Sequence, residues 1–350
     1  MKDVVIGNKI LNESSPCLIS LEPGGTFQNI DEAKKMILAS AKSGADAIKF
    51  QTFLPGDADR IMGKKDIKVD FDTPEGKKFE LVFDALKRRE LTHNEWEELV
   101  SYSKKQNILF ITAPYFPETV DFLQEINVDA IKVSKGDINN VLLIDKISKM
   151  QLPVILDARE KFSDVKNDIK ICEKNNNSQI IIMHCPSGYP AENSNVHLRA
   201  ISGIAENFDY PVGFADHSLG GIMNYAAIAL GVKMVEKTIT FDKTLNQVEH
   251  YMSLEINELQ KFVRNIRSVE ESLGSPDIIF QSRVNDDARR SLVAKIDIKK
   301  GDIISKNSLE FRRPGNIGIS VSEGFDILEK VSLCDIPKGT FLQWNMFKTT

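Results

Sequence analysis

The chain has 350 residues, of which 42% are hydrophobic and 27% are charged, and its formal net charge is -5. This composition is that of a globular protein with a sizeable core, and the length allows one large domain and a small one. The acidic balance argues against a nucleic-acid-binding protein, and no apolar run approaches the roughly 18 residues that a membrane span requires.

The N-terminal segment contains no apolar stretch long enough for a secretory signal. The four cysteines are scattered and form no CxxC pair, which is typical of reduced thiols. We therefore expect a cytoplasmic protein that has no membrane or nucleic-acid partner.

Short apolar segments recur along the first two thirds of the chain, and each has the length of a buried strand. There are eight: Cys17–Glu22, Ala47–Thr52, Ile108–Pro114, Ala130–Gly136, Pro153–Ala158, Ile180–Cys185, Val212–His217 and Met234–Thr240. Helix-length patterns lie between them, with Asn29 and Asp31 as candidate caps of the first helix and Thr92 as the N-cap of a later one. Eight alternating strand and helix units predict parallel pairing in a (β/α)8 barrel, and an open doubly wound sheet is the alternative.

One connection is unusually long. The segment Pro55–Leu86 exceeds a usual βα loop, and its polar, Gly-containing sequence fits a lid, a subunit contact or a surface excursion. A predicted helix over Ile256–Leu273 ends at Gly274, so residues 1–274 are predicted to form the barrel domain.

The last part of the chain changes character. Residues 275–284 have the sequence of an extended linker, and residues 285–350 contain two similar segments, DIKKGDIISKNSL from Asp297 and DIPKGTFLQWNMF from Asp335. Lys-Gly pairs favour tight turns between short strands. The repeat therefore predicts a small, mainly β domain with pseudo-two-fold symmetry.

Charged side chains at the ends of the predicted strands indicate a site, because barrels keep their active sites at the carboxyl ends of their strands. Glu22 ends the first strand and is either a general acid/base or a residue that binds backbone amides. His217 is the best single metal candidate, with Asp216 beside it as a supporting or substrate-contacting group, but no second histidine lies at ligand spacing. Glu249 and His250 are adjacent, so they cannot both point inward from a strand.

Two lysines, Lys49 and Lys132, lie within otherwise apolar strands, where a lysine is seldom buried without a partner. Together with other cations near the same rim they predict an anion pocket for phosphate or carboxylate. The alternative is two buried ion pairs. The further cations are Lys135 and Arg159, and the acidic partners considered for the ion pairs are Asp137 and Asp157.

The order and spacing of several motifs resemble the sialic acid synthase family, whose members make nonulosonic acids. The matching stretches are LEPGG, AIKFQT, AIKVSKGDINN, HCPSGYP, GFADHS, the SLE after VEH, and RRPGN, and they extend over nearly the whole chain. Members of this family join an N-terminal TIM barrel to a small C-terminal antifreeze-like (SAF) domain. The resemblance implies the same two domains here.

The resemblance also implies an enzyme that condenses phosphoenolpyruvate with an N-acetylated aldose and releases phosphate. The acceptor would be mannosamine-like or a 2,4-diacetamido-trideoxyhexose. The implied roles are Glu22 as acid/base, Lys49 and Lys132 on phosphoenolpyruvate, Gln51, Tyr189 and Asp216 on the sugar, His217 on a metal that polarises the aldehyde, and Arg313 on the N-acyl group inside the partner barrel of a domain-swapped homodimer. Lys135, Asp137, Arg159, Glu249 and His250 complete the candidate substrate-binding set.

The sequence departs from the family pattern at the metal and phosphate positions. Thr238 stands where a second metal histidine is usual, so the implied Mn²⁺ or Mg²⁺ would be weakly held. Either Glu236, Glu249 or His250 completes the site, or the metal is dispensable. Small hydroxyl residues are replaced at Ala113, Lys135, Asp157 and Ala215.

These departures keep two other functions open. One is a different carbon–carbon lyase or transferase on the same scaffold, because a fold does not fix a function. The other is a non-catalytic sugar-binding homologue.

Overall fold

The computed structural model describes residues 1–158, 161–274 and 288–348, and the chain divides into two compact units, Met1–Gly274 and Ser275–Thr350. The expected linker, residues 275–284, lies outside the described residues. The strands of the first unit are β1 (Val4–Ile6), β2 (Lys9–Leu11), β3 (Leu18–Glu22), β4 (Ala47–Gln51), β5 (Lys68–Thr73), β6 (Gly76–Leu81), β7 (Leu109–Ala113), β8 (Ala130–Val133), β9 (Val154–Asp157), β10 (Ile180–His184), β11 (Val212–Asp216), β12 (Met234–Thr240) and β13 (Leu254–Glu255).

The helices of this unit follow the predicted pattern. They are α1 (Ile30–Ser43), α2 (Asp57–Ile61), α3 (Val82–Lys87), α4 (His93–Lys105), α5 (Pro117–Glu125), α6 (Val141–Ser148), α7 (Phe162–Lys174), α8 (Ala200–Asn207), α9 (Ile222–Ala229) and α10 (Leu259–Leu273). The Asn29 side chain caps α1, and Thr92 forms a capping box with Glu95 at the start of α4. The predicted caps at Asn29 and Thr92 are therefore present, whereas Asp31 lies in the first turn of α1.

Eight of these strands form a closed parallel barrel in the order β3-β4-β7-β8-β9-β10-β11-β12. The ring is complete because β12 pairs in parallel with both β11 and β3. All eight predicted strands are present, and the (β/α)8 barrel is confirmed in place of the open doubly wound sheet.

Side-chain alternation divides each barrel strand between two environments. Outward residues such as Phe50 and Phe214 pack against the helices, whereas inward residues such as Ala47 and Ile155 fill the barrel interior. The β1–β2 hairpin contributes apolar side chains, including Ile6, to the interior cluster. The polar mouth lies at the opposite, carboxyl ends of the strands.

The long insertion forms its own structure. Strands β5 and β6 pair as an antiparallel hairpin, and α3 follows directly after β6. On the outer side of the hairpin, Phe79 is exposed, whereas Phe71 on the other face is buried with Ala85 and Val248. The insertion therefore packs against a loop that follows β12.

The second unit contains β14 (Ser291–Ala294) and β15 (Leu309–Arg312), which pair antiparallel. Its repeated segments pair with each other through reciprocal backbone hydrogen bonds between Ile298 and Ile336. The Asp297 side chain accepts from Lys338 N at 2.8 Å, and Asp335 accepts from Lys300 N at 2.8 Å. This exchange is the local two-fold relation that the repeat predicted.

None of the helices within the described ranges is both long enough and apolar enough to span a membrane.

We expect Phe50→Ala to destabilise the barrel unit by about 3–5 kcal/mol, because it removes a fully buried ring and leaves a cavity. Phe50 contacts Phe27, Trp96 and Phe110 at ring-centroid distances of 5.6, 5.8 and 5.4 Å. Chemical denaturation followed by intrinsic fluorescence measures the loss. The exposed Phe79→Ala is the matched control. An equal loss of stability in both variants would contradict a stabilising role for the buried ring of Phe50.

Candidate active site

Inward-facing residues at the carboxyl ends of the barrel strands form a cavity of about 360 Å³. Alternation turns Glu22, Lys49, Lys132 and Glu236 into the barrel, because each follows an interior apolar residue by an even number of positions. The cavity is lined by Glu22, Lys49, Gln51, Val69, Val82, Ala85, Leu86, Arg89, Tyr115, Lys132, Ser134, Lys135, Gly136, Asp157, Cys185, Tyr189, His217, Glu236, Val248 and Glu249.

Two buried lysines and two buried glutamates form a connected network at the bottom of this cavity. Lys49 binds Glu22, its neighbour on the adjacent strand, and Gln51 Nε2 lies 3.2 Å from the same carboxylate oxygen. Lys132 Nζ lies 2.5 Å from Glu236 Oε1, across the barrel. Lys49 Nζ is 3.9 Å from that oxygen and so joins the two pairs. Each residue of the network is at most 5% exposed, so these charges largely compensate each other with little access to water.

The network sets different proton affinities for its two carboxyls. Burial by itself raises the pKa of Glu22, but the charges of Lys49 and Lys132 outweigh it and hold that pKa well below its usual range. Burial raises the pKa of Glu236, and Lys132 only partly offsets this. Glu22 is therefore firmly ionised, whereas Glu236 is the carboxyl on which a proton costs less.

The observed ion pairs correspond to the alternative considered for the strand lysines, but with different acidic partners. The carboxylates that contact Lys49 and Lys132 are Glu22 and Glu236. Asp137 instead accepts a hydrogen bond from Asn140 at 2.8 Å and is not among the cavity-lining residues. The sequence did not indicate the pairing of Lys132 with Glu236, because these residues are far apart in the chain and only the closure of the barrel brings β12 opposite β8.

Arg89 is a site residue that sequence reasoning missed. Its guanidinium is buried, with Nη1 2.6 Å from Gln51 Oε1 and Nη2 3.3 Å from Glu249 Oε1. Glu249 in turn accepts from Gly25 N at 2.6 Å. A Cβ atom at Gly25 would lie 2.6 Å from Arg89 Nε, so the glycine permits this close approach. Arg89 lies in the charged run KRRE, which is typical of a solvated helix end.

Aromatic residues form one side of the mouth. The rings of Tyr189 and His217 stack with centroids 5.2 Å apart, and both line the cavity. Tyr115, also missed from the sequence, donates to Gln51 Oε1 at 3.1 Å and lies 3.3 Å from Ser134 Oγ. Gln51 is thus held by Glu22 and by these neighbours in one orientation.

Asp216 does not line the cavity, in contrast to the role implied for it. Its Oδ2 atom accepts from Lys237 at 2.9 Å and from Asn224 at 2.5 Å, and Oδ1 accepts from Ser218 N. Asp216 shares the strand face of Phe214, which packs outward, so its carboxylate lies between barrel and helices. Its predicted substrate contact is corrected to an ion pair that fixes the loop after β11.

His250 is also placed away from the cavity. It is fully buried, and its Nδ1 atom lies 2.8 Å from the Thr240 hydroxyl. Burial lowers the pKa of His250 to about 4. Its position is that of a neutral core histidine, whereas its neighbour Glu249 faces the mouth.

Two predicted arginines remain. Arg159 lies outside the described residues. Arg313 is exposed on the second unit.

The described residues do not fit a resident metal ion. Among them, no group of three or more His, Cys, Asp or Glu side chains could hold one. Beside His217, Thr238 offers only a neutral hydroxyl. The proposed substitutes are already bound, Glu236 by a lysine, Glu249 by an arginine and His250 by a hydroxyl. The Mn²⁺ or Mg²⁺ implied by the resemblance is therefore a prediction that the described side chains do not support.

Fold and mouth together define a (β/α)8-barrel protein with a polar, ion-paired site at the carboxyl ends of its strands. A model of the NeuB family matches residues 36–277, and a model of the SAF domain matches residues 289–348. The chain therefore belongs to the NeuB family, which confirms the resemblance and the C-terminal SAF domain.

Relatives share most of the chain. An uncharacterized protein of Methanocaldococcus jannaschii is 34% identical over 99% of this chain and 98% of its own length. The N,N'-diacetyllegionaminic acid synthase of Campylobacter jejuni is 32% identical over 87% of this chain and 92% of its own length. The crystal structure of an N-acetylneuraminic acid synthetase from Leptospira borgpetersenii has a TM-score of 0.71 and 28% identity, and covers 80% of this chain and 93% of that one.

We expect stability to fall as pH decreases from about 6.5 to 4, partly through His250. Its folded pKa lies below the unfolded value, so the unfolded chain takes up the proton first and stability is lost at acidic pH. The contribution is about 2–3 kcal/mol. Denaturant unfolding at several pH values gives the free energy of unfolding. Between pH 6.5 and 4 this free energy should change less with pH for His250→Gln than for the exposed control His197→Gln. Equal slopes would contradict a neutral, buried His250.

Proposed function

We propose that the protein is a nonulosonic acid synthase that condenses phosphoenolpyruvate with an N-acetylated aldose and releases phosphate. The observation that carries the proposal is the buried Glu22–Lys49–Glu236–Lys132 network at the mouth of a NeuB-family barrel. The names of relatives such as the diacetyllegionaminic acid synthase support the product class.

In the proposed reaction, C3 of phosphoenolpyruvate forms a bond with the aldehyde carbon of the open-chain sugar, and the aldehyde oxygen takes up a proton. Water then adds to C2 and loses a proton, and cleavage of the C2–O bond releases phosphate. Cationic side chains that line the cavity, Lys49, Lys132, Lys135 and Arg89, hold the phosphate and carboxylate. Lys49, Lys132 and Arg89 are each paired with a carboxylate, so binding a triply charged guest requires the two lysines to exchange partners.

Glu22 is ionised because the lysines lower its pKa, and it becomes a stronger proton acceptor when those lysines move to the bound phosphate and carboxylate. Glu22 lies beside Gln51, to which the resemblance assigns a sugar contact, and this supports a role of Glu22 near the acceptor. Tyr189 and His217 supply a stacked aromatic surface for the acceptor, and Glu249 supplies a carboxylate for its hydroxyls. These steps use protein side chains alone.

Incubation with phosphoenolpyruvate and a panel of 2-acetamido and 2,4-diacetamido hexoses, with and without Mn²⁺, should release inorganic phosphate. In Glu22→Gln, phosphate release should fall roughly 10²–10⁴-fold because the proton acceptor is lost. Binding of phosphoenolpyruvate, measured by thermal shift, should persist because the amide retains the shape and removes a negative charge.

The exposed Glu98→Gln, which loses only a surface pair with Lys34, is the control. No phosphate release together with no thermal shift on addition of phosphoenolpyruvate would favour the different lyase or transferase. A cellular phenotype that survives Glu22→Gln would favour the non-catalytic sugar-binding protein.

The homodimer is a further part of the proposal, in which Arg313 of one chain reaches the barrel of the other. Glu22→Gln and Arg313→Ala should each be inactive, yet refolded mixtures should regain part of the activity, since a mixed dimer contains one intact site. Light scattering establishes the oligomeric state. Mixtures that stay inactive, or an Arg313→Ala variant with full activity, would contradict the shared site.

A further inference from the structure

The insertion presents an apolar surface to a cavity that is otherwise polar. Four of its side chains line the cavity: Val69 from β5, and Val82, Ala85 and Leu86 from α3. Val248, from the loop after β12, adjoins them. We call these five residues the apolar wall. They border the same cavity as the charged network on the barrel strands.

The apolar wall is anchored to the barrel by packing. Val69, Ala85 and Val248 belong to a small core with Phe71, and Tyr189 packs against it. This core joins the insertion to two different loops of the mouth. Because these side chains are packed against a core on the side away from the cavity, they cannot easily move, and a bound molecule has to contact their apolar surface.

Hydrogen bonds fix the wall in the same place. Asp72 N donates to Tyr189 O at 2.8 Å, and Val248 N donates to Glu80 Oε2 at 3.0 Å. Arg88, which also binds Glu80, donates through Nε to Gly25 O at 3.0 Å. The insertion is thus bonded to three separate loops of the barrel mouth.

Aliphatic side chains offer neither a donor nor an acceptor. A hydroxyl group pressed against them gives up its hydrogen bonds to water without replacement, whereas a methyl group gains from the burial. A wall of this kind therefore discriminates against an added hydroxyl, by up to about a hundredfold at comparable sites.

We propose that the apolar wall contacts a methyl group of the acceptor sugar. The insertion would then favour acceptors that carry a methyl group at this position over acceptors that carry a hydroxymethyl or hydroxyacyl group there. This inference rests on the proposed function. Two methyl groups have this chemistry, the terminal methyl of a 6-deoxy sugar and the methyl of an N-acetyl group. Phosphoenolpyruvate is charged at both ends and is drawn to the lysines, which leaves the wall to the acceptor.

The test compares three acceptors at saturating phosphoenolpyruvate, with kcat/KM measured by phosphate release. The first is a 2-acetamido sugar with a terminal methyl, the second has a terminal hydroxymethyl, and the third carries N-glycolyl in place of N-acetyl. The first should be preferred over one of the others by roughly ten- to hundredfold. Which of the two is disfavoured identifies the methyl that contacts the wall.

Val82→Thr keeps the shape of the side chain and adds a hydroxyl, so it should reduce that preference several-fold. The exposed Val141→Thr, remote from the cavity lining, should leave the preference unchanged. The role of the apolar wall is overturned by a preference below twofold in both comparisons, or by a preference that Val82→Thr leaves unchanged. In either case the release of phosphate still supports the synthase. Absence of phosphate with all three sugars overturns the proposed function and the inference with it.

Discussion

The buried network of Lys49, Glu22, Lys132 and Glu236 is the constraint on which the rest of the site depends. An uncompensated charge inside a barrel would cost several kcal/mol, so each lysine needs a carboxylate in contact. Neighbouring strands supply one pair and opposite strands supply the other. The same contacts assign proton affinities, with one carboxyl kept ionised and the other more readily protonated. Structure and reactivity at the mouth thus arise from one arrangement of charges.

Around this network, the insertion completes the cavity that the strands begin. The inner side of the insertion adds an apolar surface, and the buried Arg89, which follows the insertion in the chain, bridges Gln51 and Glu249. A barrel strand can present only one or two side chains at its end. The β5–β6 hairpin and α3 add further side chains that line the cavity. The length of the segment is therefore explained by a contact surface with the site.

Membership of the NeuB family defines the scaffold. The site differs from the family pattern at several residues of the mouth. Thr238 removes an imidazole, and Lys135 and Asp157 place charges at the cavity where small hydroxyls were expected. The mouth consequently relies on fixed charges in matched pairs. In the proposed function, an anion that binds here has to displace a carboxylate from its lysine, which would couple binding to a rearrangement of side chains.

The sequence alone determined the elements that depend on local pattern. Apolar runs of strand length and caps such as Asn29 predicted the barrel, and the Asp-Ile-x-Lys-Gly repeat predicted the pseudo-two-fold symmetry of the small domain, because periodicity and turn chemistry act over a few residues. The inward direction of Glu22 and Lys49 also followed from strand ends. The tertiary structure decided which charges meet: barrel closure, a long-range event, sets Glu236 opposite Lys132. It also turned Asp216 outward and brought Arg89 in, since strand parity and loop docking are fixed only when the ring and its insertion pack together.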